Sequence, residues 1–439
     1  PFPKLSEKLK NQLIKISKEQ NKFQKIIYST DDTSKYFISN EFITFNSLKN
    51  YFNNANNTLK TIKDKYLENI SSINNAVYNY FGISPKEQED INEIVSKIGS
   101  PVEGSEFDRS INYHTNNVFK IIIGCVFRKL DMRIIKYWKQ EWSDEDIFKA
   151  RKQSPFLYGP KESTLDLVLP EYHDKIREIW DMPYPIKTLE ECATVSDINP
   201  ITDKLKEVIK YFWPDSNDTI VEELLEHFNV NDLNEIFDKH SKFFDAHLKD
   251  YSRNKRISPI YWHLGVPSGK FNIWIYYPKL NENSLFKIVN ELVEPKLEDV
   301  KKQVAALEMS SASKDLHEQM ALRDELIDFK EELLRVAQLP YKPNQDDGVL
   351  ITAAPLHNLF RHTKWRKSTE ACWKKLEKGE YDWAHLAYSI WPDRVANKCK
   401  KDLSMAIAHG LESICEIKPK EKKSRKKPEI KVETQDKLL

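Results

Sequence analysis

Apolar residues recur at helical spacing through the first part of the chain, with Lys, Glu and Asn between them. Residues 4–30 show this spacing, for example at Leu5 and Leu9, and residues 45–80 continue it. Apolar residues three or four positions apart lie on one face of an α-helix. The pattern predicts an antiparallel pair of helices, and we interpret residues 1–100 as a helical scaffold region.

Helical and irregular patterns alternate in the middle of the chain. An apolar helix is predicted over residues 112–140, around Ile121–Phe127, and residues 201–250 return to helical spacing. Residues 152–200 are rich in proline and irregular, which indicates a long ordered loop or a domain junction.

The clearest β pattern is a pair of short runs, Ile260–Trp262 and Phe271–Tyr277, which are rich in aromatic and β-branched residues. The segment Gly265–Lys270 between them is typical of a turn. The pattern predicts a small β-hairpin, and we place it in a region that covers residues 101–282.

Residues 283–340 are predicted to form a helical hairpin, with its turn at Met309–Ser313 and a break or kink at Pro295. Four apolar residues at i, i+4, i+7 and i+11 predict a core-facing stripe. They are Leu322, Leu326, Phe329 and Leu333. The hairpin is interpreted as a spacer, and a dimer-forming coiled coil is the alternative.

The last part of the chain mixes acidic, aromatic and basic residues, and we interpret residues 341–416 as a C-terminal α/β region. Asp346 and Asp347 lie in a predicted turn before a strand over Val349–Ile351. Adjacent aspartates point in different directions in regular structure, so this pair is not expected to share a reaction centre. Residues 417–439 are predicted to be a disordered, charged tail.

Together these elements predict an α+β fold that is predominantly α-helical. Hydrophobic residues make up 40% of the 439 residues, which is enough to build real cores. Only 10 residues are glycine, whereas folds that cradle nucleotide phosphates use glycine heavily, so a nucleotide-binding fold is not expected. The 5 cysteines include no CxxC pair, which argues against a zinc knuckle and favours reduced thiols in the cytoplasm. No apolar run is long enough to span a membrane, so no membrane partner is expected.

The sequence contains no complete catalytic or cofactor-binding motif. It has no P-loop, no G-x-G-x-x-G, no G-x-S-x-G elbow and no H-E-x-x-H. No pair of histidines lies with a carboxylate at a recognised metal spacing, and His385, beside Trp383, is interpreted as a satisfied core residue. We therefore assign no catalytic, cofactor-binding or metal-binding residue.

Binding is the remaining chemistry, and basic residues interleaved with aromatic ones indicate it. Because the net charge is only +1, a nucleic-acid surface has to come from local clusters. Lys and Arg neutralise phosphates, while aromatic and guanidinium planes stack on bases. Three segments have this character, and they are Arg128–Trp138, Tyr251–Trp262 and Arg361–Lys367. The residues that we predict to bind DNA are Arg253, Lys255, Arg256, Lys270, Arg361, Lys364, Arg366 and Lys367.

Several segments between about residue 115 and residue 412 match a known pattern in order and spacing. They are Gly124–Arg133, Arg256–Trp262, Ile273–Tyr277, Val293–Leu297, Asp346–Val349, Ala354–Leu356, Lys375–Ala384 and Ala406–Gly410. Together they resemble the C-terminal half of the large adenine-specific DNA methyltransferases of phage-defence islands. These are the BREX (PglX-type) and class 1 DISARM methyltransferases, relatives of the single-chain type IIG restriction-modification enzymes. The first segment resembles a GC-x-F-G-R-W-D motif, but the glycine before the arginine is absent here and Leu130 stands for the aromatic residue.

The resemblance implies the target-recognition and C-terminal portion of such an enzyme. The methyl-transfer domain of that family precedes this portion and carries an S-adenosylmethionine motif and an Asn-Pro-Pro-Tyr motif, and neither occurs here. The chain starts at Pro1 and not at Met, and its opening residues already have the pattern of a helix interior, so we expect a fragment of a longer protein, with a processed start as the alternative. Residues 101–282 would then be a target-recognition-like region. S-adenosylmethionine is implied for the missing domain and no cofactor for this chain.

The implied partners are double-stranded DNA, the chain's own N-terminal methyltransferase domain and other phage-defence subunits. A different class of function stays open, namely a non-catalytic helical scaffold that docks other defence-system subunits without contacting DNA. A stand-alone enzyme with an unrecognised site is a third alternative, which the missing motifs argue against.

Overall fold

The structure is a computed structural model. It describes residues 6–29, 31, 37, 40–97, 107, 111–143, 154–157, 159–187, 192–194, 201–238, 242–253, 256–310 and 313–416. The disordered tail predicted over residues 417–439 lies outside these ranges.

The described chain is mostly helical with little strand, as the sequence predicts. Its helices are α1 (Glu7–Tyr28), α2 (Leu48–Phe81), α3 (Pro85–Lys97), α4 (Ile111–Val126), α5 (Met132–Tyr137), α6 (Glu162–Leu165), α7 (His173–Asp181), α8 (Ile201–Phe212), α9 (Asn217–Phe228), α10 (Leu233–Phe237), α11 (Lys242–Asp250), α12 (Ser284–Ile288), α13 (Glu294–Ser310), α14 (Ser313–Ala337), α15 (Val349–Ala353), α16 (Thr363–Glu377), α17 (His385–Ile390), α18 (Pro392–Cys399) and α19 (Leu403–His409). Its strands are β1 (Cys192–Thr194), β2 (Ser252–Arg253), β3 (Arg256–Ile257), β4 (Tyr261–Gly265) and β5 (Asn272–Tyr276). None of the helices in the described ranges is both long and apolar enough to cross a membrane.

Helices α1 and α2 form the predicted antiparallel pair. Gln24 Nε2 donates to Tyr66 Oη at 2.8 Å, and Asn69 Nδ2 donates to Glu19 Oε2 at 2.9 Å, so the residue numbers run in opposite directions along the two helices. A small separate cluster of buried residues, which includes Tyr66, packs the far half of this pair. The near half of α2 joins the main body, where Glu223 accepts from the side chain of the N-cap residue of α2.

Strands β4 and β5 form the predicted hairpin, and their ten residues are all buried. The pairing is antiparallel, with Tyr261 opposite Tyr276 and Gly265 opposite Asn272. Strand β1 pairs with the outer edge of β5. At the outer edge of β4, Leu264 pairs with Phe360, so a segment from the C-terminal region continues the sheet.

Both faces of the hairpin are covered by large aromatic residues. On one face, Trp274 meets the ring of Phe237 at 5.9 Å, and its Nε1 donates to the carbonyl of that residue. On the opposite face, Trp262 stacks on Tyr277 at 5.1 Å and meets the edge of Phe360 at 5.9 Å. The hairpin is therefore a central layer between the helices that precede it and those that follow it.

The helical hairpin is confirmed as α13 and α14, and all four residues of the predicted stripe on α14 are buried. The irregularity predicted at Pro295 takes the form of a π-helical turn over Val289–Val293. Proline has no N–H to donate and its ring crowds the preceding turn, so the regular α-helical hydrogen-bonding pattern cannot run through it.

The strand predicted over Val349–Ile351 is wrong, because these residues lie in helix α15. Within residues 341–416 the regular elements are helical, and the extended contribution is the single pairing of Phe360. A short apolar run fits a buried strand or a buried helix equally well, and only its neighbours decide. Here the hydroxyl of Tyr341 donates to the carbonyl of Thr352 at 2.9 Å and fixes the helical turn in the core.

One continuous cluster of buried side chains extends from Phe37 to Ala406. It therefore crosses the predicted boundaries between residues 101–282, 283–340 and 341–416.

Replacing Phe360 by Ala should destabilise the protein by about 3–5 kcal/mol, because the ring is buried between Trp262 and Trp365 and its loss leaves a cavity. Urea unfolding followed by circular dichroism measures the loss. Phe81→Ala is the matched control, since that ring is 53% exposed and its removal should change the stability by about 0.5 kcal/mol or less. Equal effects of the two substitutions would contradict the central position of Phe360.

Candidate nucleic-acid interface

The second and third basic segments of the sequence approach each other at one cleft of about 1320 Å³. Helix α11 forms one wall, the first turns of α16 form the other, and His263 of strand β4 lies between them. Ser252 also lines the cleft and directly precedes Arg253, so the second basic segment begins at the edge of the cleft. Residues more than 100 positions apart therefore contribute to one surface.

Four exposed cations line this cleft, and they are Lys249, Lys364, Arg366 and Lys367. None of the four forms an ion pair with another residue in the described part of the chain. The first comes from α11 and the other three from α16. Because like charges repel, such a cluster is stabilised by a polyanion that brings negative charge to all four.

Helix α16 begins at a histidine N-cap. The Nδ1 atom of His362 accepts from the Trp365 N–H at 3.3 Å, so its Nε2 carries the hydrogen and donates to Asp245 Oδ1 at 2.8 Å. Asp245 belongs to α11. The side chain of His362 therefore joins the two walls of the cleft. It is hydrogen-bonded to Asp245, which is the carboxylate that lines the cleft.

Arg361 lines the cleft and is anchored to the β-hairpin. Its Nη1 donates to the carbonyls of Val266 and Pro267 in the hairpin turn, the latter at 2.8 Å, and its backbone N–H donates to the carbonyl of His263 at 3.1 Å. Its Nε is buried without a hydrogen-bond partner. The predicted DNA-binding residue thus holds the hairpin turn and adds its charge to the cleft.

His263 lies in the floor of the cleft and is 3% exposed. Its ring stacks on Trp274 with the centroids 4.5 Å apart and the planes at 6°, its Nε2 is buried, and Asn272 supplies a side-chain hydrogen bond that partly offsets the lowering of its pKa. Burial, followed by the nearby charge of Arg361, lowers the pKa of His263 to about 3. The imidazole is therefore neutral at physiological pH.

The other predicted DNA-binding residues either lie away from the cleft or have side chains outside the described part of the structure. Lys270 lies in the hairpin turn and pairs with Glu318 of α14 at 2.9 Å, away from the cleft. Arg253 and Arg256 lie in strands β2 and β3, which pair with each other, but their side chains are outside the described part. Lys255 is outside the described residues altogether.

The first basic and aromatic segment, Arg128–Trp138, is used internally. Arg133 forms a bidentate ion pair with the fully buried Asp131, at 2.7 Å and 3.0 Å, and also donates to the carbonyl of Trp180 at 3.0 Å. Lys136 donates to the carbonyl of Tyr211 at 2.6 Å. These cations stabilise the fold around α5.

Two acidic residues of the C-terminal region, Asp347 and Asp382, stabilise the fold and do not line the cleft. Asp347 is buried and accepts from the backbone N–H of His385 at 2.7 Å and from its Nδ1 at 2.9 Å, which caps helix α17. Asp382 is buried and pairs with Arg394 and Lys398, each at 2.7 Å. His385 is hydrogen-bonded, as predicted, although its side chain is 44% exposed and so lies at the edge of the core.

Sequence inspection missed three residues of the cleft, namely Lys249, His263 and His362. The first two flank the predicted segment Tyr251–Trp262 without belonging to it, and tertiary packing brings them to α16. His362 belongs to the predicted basic segment, but a histidine is not a preferred N-cap residue.

Nothing in the described ranges brings three or more His, Cys, Asp or Glu side chains together in a way that could hold a metal ion. The sequence matches no known protein-family model and no curated protein.

The low pKa of His263 should make the protein less stable in mild acid. The unfolded histidine binds a proton below about pH 6.5 while the folded one does not, so stability falls by about 1.4 kcal/mol per pH unit as the pH drops from 6.5 towards 3. His263→Phe keeps a ring against Trp274 and removes this titration. Between pH 6.5 and pH 5 the wild type should lose about 2 kcal/mol more than the variant in urea unfolding; parallel profiles would refute the buried neutral state.

Proposed function

We propose that this chain is the DNA-recognition portion of an N6-adenine DNA methyltransferase in a phage-defence system of the DISARM or BREX kind, or in a restriction-modification system. The methyl-transfer domain of that enzyme would lie outside this chain. The observation that carries the DNA-binding part of the proposal is the cleft with its four exposed, unpaired cations.

The physical chemistry of the cleft favours a phosphate backbone as ligand. Lys and Arg side chains that contact phosphates release condensed counterions, and this release supplies most of the affinity of non-specific DNA binding. Helix N-termini and backbone N–H groups add contacts that set the register of the protein on the duplex. The cleft offers both, because its three α16 cations lie in the first turns of that helix.

The methyltransferase part of the proposal rests on the resemblance, and one backbone feature supports it. Arg128 stands where the resembled motif has glycine, and its φ is 54°, a left-handed conformation that glycine adopts without strain. Gly124 of the same segment lies against Leu130, where an added Cβ would be only 2.9 Å from the nearest side-chain atom.

Two of the other resembling segments each contribute a buried carboxylate that holds the C-terminal helices together. Asp347 caps α17, and Asp382 joins α18 to the turn after α16. Their role would be to fix the C-terminal helices beside the cleft. S-adenosylmethionine binding, base flipping and methyl donation would belong to the domain outside this chain.

A scaffold function is the second candidate, and exposed apolar side chains in the N-terminal helices favour it. Val77 and Phe81 at the end of α2, and Ile94 in α3, are 40%, 53% and 55% exposed. Val77 and Phe81 are four positions apart and therefore lie on one face of α2, and exposed apolar side chains that lie together often mark protein–protein contacts. In that case the helices would dock another defence subunit.

The DNA-binding proposal predicts that replacing Lys364, Arg366 and Lys367 together by Ala weakens DNA binding by about tenfold or more at low salt. The slope of log affinity against log salt should fall by about one for each phosphate group that the variant no longer neutralises. Fluorescence anisotropy with a labelled DNA duplex at several salt concentrations measures both quantities.

The matched control replaces Lys301, Lys302 and Lys314 by Ala. These residues are exposed on the helical hairpin, so the net charge changes equally while the cleft stays intact. If the control weakens binding as much as the cleft variant does, the cleft is not the binding surface. A wild type that fails to bind DNA even at low salt, but still captures other defence subunits, would favour the scaffold.

The methyltransferase proposal is tested in the coding DNA. The proposal expects an in-frame Asn-Pro-Pro-Tyr motif in the sequence that precedes Pro1, and sequencing of that region decides the point. An upstream reading frame that encodes no methyltransferase motif would contradict it.

A further inference from the structure

We propose that the exposed side of helix α1 is a second DNA-contact surface, on which a row of lysines binds the phosphate backbone of the duplex. The inference rests on the proposed function, since it takes DNA as the ligand. It adds to that function a surface that is formed by a different part of the chain from the basic cleft.

The lysine row consists of Lys8, Lys15, Lys18 and Lys22 of α1, and all four residues are exposed. Successive members are seven, three and four positions apart, which is close to one or two whole helical turns. All four therefore lie on one side of the helix. The row follows the helix axis for about 21 Å, at a rise of about 1.5 Å per residue.

The charge of the lysine row is not balanced within its own helix. Helix α1 contains six lysines and two glutamates, although the net charge of the whole chain is only +1. Glu7 pairs with Lys10 at 3.6 Å, and Glu19 accepts a hydrogen bond from Asn69 of α2 at 2.9 Å. Within the described chain, no member of the row forms an ion pair.

The lysines of helix α13 show the opposite pattern. Lys301 pairs with Glu298 at 2.7 Å and Lys296 with Asp299 at 3.8 Å, each with a carboxylate about one turn away on the same helix. Opposite charges at this spacing stabilise a solvated helix, whereas like charges at this spacing destabilise it. The lysine row therefore has a cost for the stability of α1, and a bound polyanion would remove that cost.

A groove of about 660 Å³ lies at the C-terminal end of the lysine row. Lys22 and Lys25 line it from α1, and Asn54 of α2 and Gln140 line it from other elements. Lysine and side-chain amides are among the groups that contact phosphate oxygens in protein–DNA complexes. The row thus ends at a concave surface that offers neutral donors beside charged ones.

The packing of α1 on α2 argues against a membrane as the partner. A helix that lies in a membrane interface buries its apolar face among the lipids. In α1 this face is used inside the protein, because Ile27 is buried and Phe23 meets the ring of Tyr66 at 6.4 Å. Duplex DNA carries one negative charge per ~1.7 Å of its axis, so a row of lysines can meet phosphates along its whole length.

The test removes three charges from the row in the full chain. Lys15, Lys18 and Lys22 are replaced together by Gln, which keeps a long polar side chain and has a helix propensity close to that of Lys. A second variant replaces the same three residues by Arg and keeps the charge. Circular dichroism checks that both variants are folded.

The matched control replaces Lys301, Lys302 and Lys314 by Gln. These residues are exposed on the helical hairpin of α13 and α14, so the net charge changes equally while the lysine row stays intact. The cleft variant described above is measured in parallel.

Fluorescence anisotropy with a labelled DNA duplex at several salt concentrations measures the affinities. The Gln variant of the row should bind about fivefold or more weakly than the wild type at low salt. Its slope of log affinity against log salt should fall by about one for each lysine that contacts a phosphate group. The Arg variant and the matched control should bind as the wild type does.

The outcomes separate this inference from the proposed function. An unchanged affinity and slope in the Gln variant of the row, with the cleft variant still weakened, would overturn the second surface alone. A loss in the Gln variant without a loss in the cleft variant would support the second surface and overturn the cleft as the DNA-binding site.

Vesicles of phosphatidylserine and phosphatidylcholine are the second probe, because an anionic membrane also attracts lysines. The wild type should not sediment with these vesicles at physiological salt. Sedimentation of the wild type that the Gln variant of the row loses, with equal DNA binding by both proteins, would identify a membrane as the partner and overturn the inference.

Discussion

The fold depends on the burial of the β4–β5 hairpin on both faces and at both edges. Strand β1 pairs with one edge and Phe360 with the other, so few backbone groups of the hairpin are left without a partner. Phe237 of an earlier helix packs on one face, whereas Tyr277 and Phe360, which follow the strands along the chain, pack against Trp262 on the opposite face. This arrangement places Arg361, and with it the start of α16, next to a strand that is far away in sequence.

Elements with a strong local pattern could be predicted from the sequence. The stripe on α14 follows helical spacing over four residues, and the hairpin combines β-prone runs with a glycine-containing turn. The short run Val349–Ile351 was mispredicted because its conformation is set by Tyr341 and the surrounding core. A break or kink at Pro295 could be predicted from the missing N–H of proline, but its form, a π-helical turn over Val289–Val293, could not.

The candidate site was predictable only where its residues are consecutive. The segment Arg361–Lys367 was found because four cations occur within seven positions. Lys249 and His263 could not be found, since folding alone brings them beside α16. The segment Arg128–Trp138 has a similar composition but does not form a binding surface. Its Arg133 pairs with the fully buried Asp131 and therefore lies in the core.

The exposure of the four cleft cations has a kinetic consequence. Exposed charges attract an approaching polyanion over long distances and mainly raise the association rate. Because these cations have no ion-pair partner in the described part of the chain, their attraction for a polyanion is reduced chiefly by dissolved salt. A rise in ionic strength would then lower how often such a ligand arrives far more than it would shorten how long the ligand stays.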